Sequence, residues 1–257
     1  MIRALLVAVT AAALTACGQN IRHLDLTGCD HPSGWRKEIR GLAVNSWPYA
    51  QLSYVVYNKQ PGLSIAPGFQ ELSVHENKSI GFYAVLFEDA RDKSLVFVIR
   101  GTEDLTDWKK GNFAQDQNNF GLESFKKIAT ANPGRNIVVA GHSLGGGVAM
   151  HISLNEPVQA AYSFNGSPNF RMKGSEPKTK RYSIVEYGEI LKFPRVFGRE
   201  ATQLYTSIGC SEGDPITQHD QLFLATCLTQ IAAADDPAAA ASLVQNAMPR
   251  PKWLPAS

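Results

Sequence analysis

Five residues constrain this chain more than any others: Gly141-His142-Ser143-Leu144-Gly145, set between the apolar run Asn136-Ile137-Val138-Val139-Ala140 and the small-residue stretch Gly146-Gly147-Val148-Ala149-Met150. The β-branched run reads as a buried strand and the stretch after it as a helix, so the serine falls at their junction. A serine with glycines two residues to either side, at such a junction, is the pattern of a nucleophile elbow. The bend forces the serine backbone into strained geometry, and only residues without bulky side chains fit where strand and helix nearly touch. Gly141 and Gly145 meet that need. The turn lifts the Ser143 hydroxyl clear of the sheet, and the amide of Leu144 points where a tetrahedral oxyanion would form. The pattern predicts acyl-transfer chemistry.

The rest of the chain is consistent with one globular domain. Its 257 residues are 44% hydrophobic and 19% charged, enough for a sizeable core. A formal charge of +2, with no basic stripe interleaved with aromatics, excludes nucleic acid as a partner. Met1 to Ala16 carries one early cation, Arg3, then the apolar run Ala4 to Leu14, which reads as a secretory signal. That run is too short for a membrane span, which takes ~20 residues. The sequence Leu14-Thr15-Ala16-Cys17 resembles a bacterial lipobox, which implies lipidation of Cys17 after cleavage. Gly18 after that cysteine, rather than aspartate, implies an outer-membrane-anchored lipoprotein of a Gram-negative bacterium. A plain signal peptide with an incidental cysteine is the alternative. Residues 17–38 read as a tether, 39–232 as the catalytic body, and 233–257 as an Ala/Pro-rich tail.

Within the body, Ile39 to Tyr57 has helical spacing, with Pro48 kinking or splitting it. Gly81 to Asp89 and Ser94 to Arg100 read as two strands joined by a polar turn, and Phe120 to Thr130 as an amphipathic helix. Further strands fall at Gln159 to Phe164, Arg181 to Tyr187 and Gln203 to Ile208. Asp235-Asp236-Pro237 caps a small alanine-rich helix. Strands that are continuously apolar and alternate with helices predict a mostly parallel sheet with helices on both faces. Beyond Cys17 the cysteines are Cys29, Cys210 and Cys227. A bridge from Cys210 to Cys227 would staple the loop carrying His219, and Cys29 with Cys210 is an open alternative. The six histidines form no metal-ligand spacing, so no metal site is expected.

A second motif, Val96-Phe97-Val98-Ile99-Arg100-Gly101-Thr102 followed by Asp107-Trp108, together with Gly-His-Ser-Leu-Gly-Gly, resembles the class 3 lipase family of α/β-hydrolases. The resemblance spans roughly Ile39 to Leu224 and implies the α/β-hydrolase fold. It implies that Thr102 and Leu144 supply the two oxyanion donors. Asp107, Trp108 and Arg100 read as structural. A serine needs a base within hydrogen-bond reach, itself oriented by an acid, and in this fold the chain order is serine, acid, histidine. After Ser143 the histidines are His151, read as a solvated residue of the elbow helix, and His219, near the chain end where the family keeps its base. His142 is read as supporting the nucleophile from behind. The family's acid is an aspartate after a strand and before an apolar-proline stretch. Here the matching segment, Ile184 to Pro194, carries Glu189 at that position, with Glu186 and Asp214 as rivals.

The expected activity is therefore a cofactor-free serine esterase acting on lipids, of triacylglycerol lipase or phospholipase A type. The segment between Thr102 and Phe120 is mostly polar, which argues against a large amphipathic lid there, and Ile190 to Arg199 is a candidate membrane-contact strip. A non-catalytic binding lipoprotein on a hydrolase scaffold and a secreted lipase effector are the rival readings.

Overall fold

In the computed structural model the described residues are 33–58, 62–102, 113–168, 170, 178–198, 203–210 and 213–251. Cys17, Cys29, Asp107 and Trp108 lie outside them.

Helix α1 (Lys37–Val55) precedes an antiparallel run of three strands, β1 (Phe69–Asn77), β2 (Phe82–Asp89) and β3 (Leu95–Ile99). From β3 onward every pairing is parallel: β4 (Ile137–His142), β5 (Ala160–Phe164), β6 (Lys180–Glu186) and β7 (Gln203–Ile208). The seven strands lie side by side in chain order. The helices are α2 (Phe113–Ala131) between β3 and β4, α3 (Leu144–Asn155) between β4 and β5, and α4 (Lys192–Gly198) between β6 and β7. Helices α5 (Gln221–Ala232) and α6 (Pro237–Gln245) end the described chain.

The chain-order sheet explains where the helices lie. Crossovers between parallel neighbours are right-handed, so a sheet that always advances in one direction places successive crossover helices on one face. Phe125 and Ile128 of α2 and Val148, Ala149 and Ile152 of α3 accordingly share a core with Leu95, Phe97, Ile99, Ile137 and Val139. The other face has to be covered by the ends of the chain. Trp47 and Leu52 of α1, Leu224 and Leu228 of α5 and Leu243 of α6 pack there against Val96, Val98, Val138 and Ala140. Alternate residues of one strand thus enter different cores, which is why β3 and β4 are apolar throughout.

Several elements differ from the sequence expectation. Helix α1 runs unbroken through Pro48, although the proline has no N–H to give the Val44 carbonyl. Packing outweighs the lost bond. Trp47 Nε1 donates to Asp236 at 2.8 Å, and Gln51 Nε2 donates to Thr229 and Ser242 at 2.9 Å each, all on α5, α6 or the cap of α6. Helix α2 begins well before Phe120, because its first turns are polar yet face the protein: Gln117 and Asn118 are buried, and Gln117 donates to the Ile80 carbonyl at 2.9 Å. Strand β1 has no counterpart in the sequence reading, since its charged, half-exposed residues give no strand alternation. His151, expected to be solvated, is 1% exposed. The segment after 232, set apart by composition, buries Ala239, Leu243 and Met248 in the same core as α1.

Because α6 closes that core, Leu243→Ala is expected to cost about 2–5 kcal/mol, the range for a large-to-small change at a buried site. Urea unfolding measures it, and an unchanged midpoint would mean that α6 contributes no packing.

Candidate active site

The elbow is built by close approach. Ser143 caps α3 with φ 54° and ψ −124°, a left-handed backbone that a serine adopts only under constraint. A Cβ on Gly141 would lie 2.5 Å from the Gly145 carbonyl and 2.8 Å from the Ile99 carbonyl, and one on Gly145 would collide with Ile99 and Arg100. The Ser143 N–H donates to the Phe164 carbonyl at 3.0 Å, and its carbonyl accepts from Ser167 at 2.9 Å, so β5 fixes the bend from the side.

Ser143, His219 and Glu189 come together in one line. His219 Nε2 lies 3.0 Å from Ser143 Oγ, and His219 Nδ1 lies 2.7 Å from Glu189 Oε2. A carboxylate only accepts, so Nδ1 carries the proton and Nε2 is left to accept from the serine hydroxyl. All three side chains are buried. His219 ends a short 3-10 turn (Thr217–His219) just before α5, while Glu189 sits in the turn between β6 and α4. The rivals for the acid are elsewhere. Glu186 accepts from the Cys210 N–H at 3.0 Å, and Asp214 is exposed and caps the turn at Ile216 and Thr217.

Glu189 carries more than the histidine. Its Oε2 also accepts from the Leu191 N–H at 2.8 Å, and its Oε1 takes a bond from Nη1 of buried Arg195, whose Nε donates to the Gly166 carbonyl. Burial alone would raise the carboxyl's pKa. The bond from His219 and the charge of Arg195 outweigh it and hold Glu189 below the usual carboxylate range.

The oxyanion candidates flank the serine. Leu144 opens α3, where the first helical amides have no intrahelical partner. Thr102 follows Gly101, and a Cβ on Gly101 would lie 2.9 Å from Ser143 Cβ, so the end of β3 passes directly beside the nucleophile. Arg100 lies over the Tyr83 ring at 4.8 Å.

Four residues that no sequence motif marked support this line. Asn165, at φ 43°, accepts from the Glu186 N–H at 2.8 Å and donates to the Gln218 carbonyl at 3.3 Å. Gln218 accepts from the Gly188 N–H at 2.9 Å, tying the turn of the base to the turn of the acid. Tyr57 contacts His142, and Arg195 contacts Glu189. Asn-Gly after an apolar strand was a readable signal for a left-handed turn, but Tyr57 and Arg195 have none. Cys210 and Cys227 form a disulfide, closing the loop that holds His219. The one group of possible metal-ligand atoms among the described residues is Glu186 with these two sulfurs, which are committed to the bridge.

Sheet, elbow and buried serine line have the architecture of the α/β-hydrolase fold. Residues 48–169 match the model of the Tle-like phospholipase domain. No curated protein sequence matches the chain significantly. Among solved structures it is similar to the Lip2 lipase from Yarrowia lipolytica, with 16% identity, TM-score 0.47, and 66% of this chain and 80% of that one covered. It is also similar to a triacylglycerol lipase from Penicillium expansum, at 14% identity, TM-score 0.46 and 70% and 89% coverage. A lipase from Rhizopus microsporus var. chinensis gives 14%, 0.49, and 67% and 77%.

Arg195→Met removes the cation that favours the ionised acid. Glu189 then takes up its proton at higher pH, so the acid-side fall of kcat is expected to move upward. A carboxyl held below 4.5 in the folded state adds stability above that value and loses it as pH falls through the lowered one. The variant's acid unfolding should therefore also begin at higher pH, and superimposable pH profiles would remove the guanidinium from this role.

Proposed function

We propose that the chain is a serine hydrolase of lipid carboxylic esters that works through an acyl-enzyme, of lipase or phospholipase A type. The observation that carries this reading is the continuous line Ser143 Oγ–His219 Nε2, 3.0 Å, and His219 Nδ1–Glu189 Oε2, 2.7 Å, in a buried site.

His219 accepts the Ser143 proton as Oγ attacks the ester carbonyl, and Glu189 stabilises the imidazolium that results. The negative charge on the carbonyl oxygen falls toward the amides of Leu144 and Thr102. His219 returns the proton to the leaving alkoxide, the alcohol departs, and the serine ester remains. Water, deprotonated by the same imidazole, then releases the acid.

Lipid rather than soluble ester is favoured by what surrounds the site. Phe193 is 77% and Ile216 60% exposed, with Tyr187 and Ile190 also at the surface. Tyr187, Ile190 and Phe193 lie on either side of Glu189 in sequence, Ile216 lies three residues before His219, and the Ile190 N–H donates to the Pro215 carbonyl at 3.0 Å, joining the two segments. Exposed apolar side chains concentrated beside a catalytic line suit contact with an acyl-chain phase. No helix among the described residues is long and apolar enough to cross a membrane. Attachment would come instead from lipidated Cys17, placing the domain at the outer membrane with bilayer esters in reach. Loss of palmitate labelling in Cys17→Ser tests that attachment.

A fluorophosphonate probe is expected to label wild type and not Ser143→Ala, whose kcat on a phospholipid or p-nitrophenyl ester panel should fall by at least about 10⁴-fold. Glu189→Gln should lose about 10²- to 10⁴-fold. Absence of labelling and turnover in wild type would favour the binding-lipoprotein reading.

A further inference from the structure

Behind the serine line a second chain of hydrogen bonds links three loops that are far apart in sequence. The Gly101 N–H donates to Tyr57 Oη at 3.0 Å, Tyr57 Oη lies 2.8 Å from His142 Nδ1, and His142 Nε2 lies 2.8 Å from the His219 carbonyl. Every member is buried. The chemistry of the ends fixes the protons between them. A carbonyl oxygen only accepts, so His142 carries its proton on Nε2. In the neutral ring Nδ1 is then an acceptor, and Tyr57 donates its hydroxyl proton there while accepting from Gly101. The donor direction runs unbroken from Gly101 to Tyr57 to His142, and from His142 to His219.

The two ends of this chain are the two parts of the site that must keep register. Gly101 precedes Thr102, whose amide is to meet the oxyanion. His219 is the base, and its carbonyl is gripped from behind while its ring faces Ser143. Tyr57 also fills the space that a side chain at Gly101 would need, and its ring meets that of His142 edge-on at 5.8 Å. His142 immediately precedes Ser143 in the chain, so one residue is joined to the serine's backbone by a peptide bond, to the His219 backbone by its imidazole and, through Tyr57, to the oxyanion turn.

We propose that Tyr57 and His142 are positioning residues for the acyl transfer, a neutral hydrogen-bonded clamp that sets the distance between the oxyanion amide at Thr102 and the base at His219. The clamp rests on the hydrolase reading above. It acts on geometry that matters when the serine, imidazole and oxyanion donors must align together, and a misplacement of about 1 Å at such a site costs on the order of 10²-fold in rate. Substrate affinity, which depends on the outer surface, is left alone.

Steady-state kinetics on a soluble p-nitrophenyl ester, with thermal midpoints measured alongside, test it. His142→Ala is expected to lower kcat by about 10- to 100-fold with KM within about twofold, and Tyr57→Phe, which keeps the ring and loses the hydroxyl, by about 5- to 30-fold. His142→Gln offers a donor and an acceptor on one side chain and should recover most of the lost kcat. The double variant should be no worse than His142→Ala alone, because both changes cut the same chain. A kcat equal to wild type in His142→Ala or Tyr57→Phe overturns the clamp, as does a loss that follows the thermal midpoint and is not rescued by glutamine. A wild type that neither labels nor turns over would instead defeat the hydrolase reading. The clamp then still faces a readout independent of turnover: in Ser143→Ala, long-range ¹H–¹⁵N spectra should show His142 neutral and protonated on Nε2 at neutral pH, and an Nδ1–H tautomer or an imidazolium overturns it.

Discussion

The site depends on the contact between three backbones at the top of the sheet. Gly145 at the start of α3 lies against the end of β3, Gly141 at the end of β4 lies against Gly145, and Ser143 between them takes φ 54° because no relaxed backbone makes the corner. That strain is held by long-range bonds at the end of β5 and by the packing of α3 on the sheet, so the orientation of the serine is a property of the whole core. The small-residue face of α3 has the same origin. Gly146 approaches Ser163 and Gly166 so closely that a methyl group there would push the helix off the sheet and the elbow open.

Around that corner the ionisable groups lie below the surface. Glu189, His219 and Arg195 are all buried, and charges away from water are costly unless each is bonded. Here the carboxylate accepts from the base, the Leu191 amide and the guanidinium, and the guanidinium donates on to a backbone carbonyl. One carboxylate thus meets both His219 and Arg195. The arrangement favours the ionised acid over the range where the imidazole must work as a base.

Much of this was legible from the residues. The apolar runs of β3 to β5 stand out because both faces of each of these strands are buried, and the elbow stands out because its constraint acts within five residues, Gly141 to Gly145. Phe193 fell within the candidate membrane-contact strip Ile190 to Arg199, whereas Ile216 was visible only as an apolar residue in a polar loop. Strand β1 was hidden by its charged, half-exposed edge position, the first turns of α2 by polar residues that face inward, and the continuity of α1 by Pro48. In each case local composition pointed one way and contacts from distant segments decided the other.

The sequence by itself picked out the candidate serine, the fold type around it and the histidine that faces it, because these are set by short-range sterics and by the order of residues along the chain. Only the tertiary structure decided that Glu189 rather than Glu186 or Asp214 faces that histidine, that Cys210 pairs with Cys227, and that Tyr57, Asn165, Gln218 and Arg195 hold the parts in place. The physical reason is that each of those choices is a side-chain meeting between turns far apart in the chain. Three carboxylates of similar chemistry compete for one imidazole there, and distance and burial alone tell them apart.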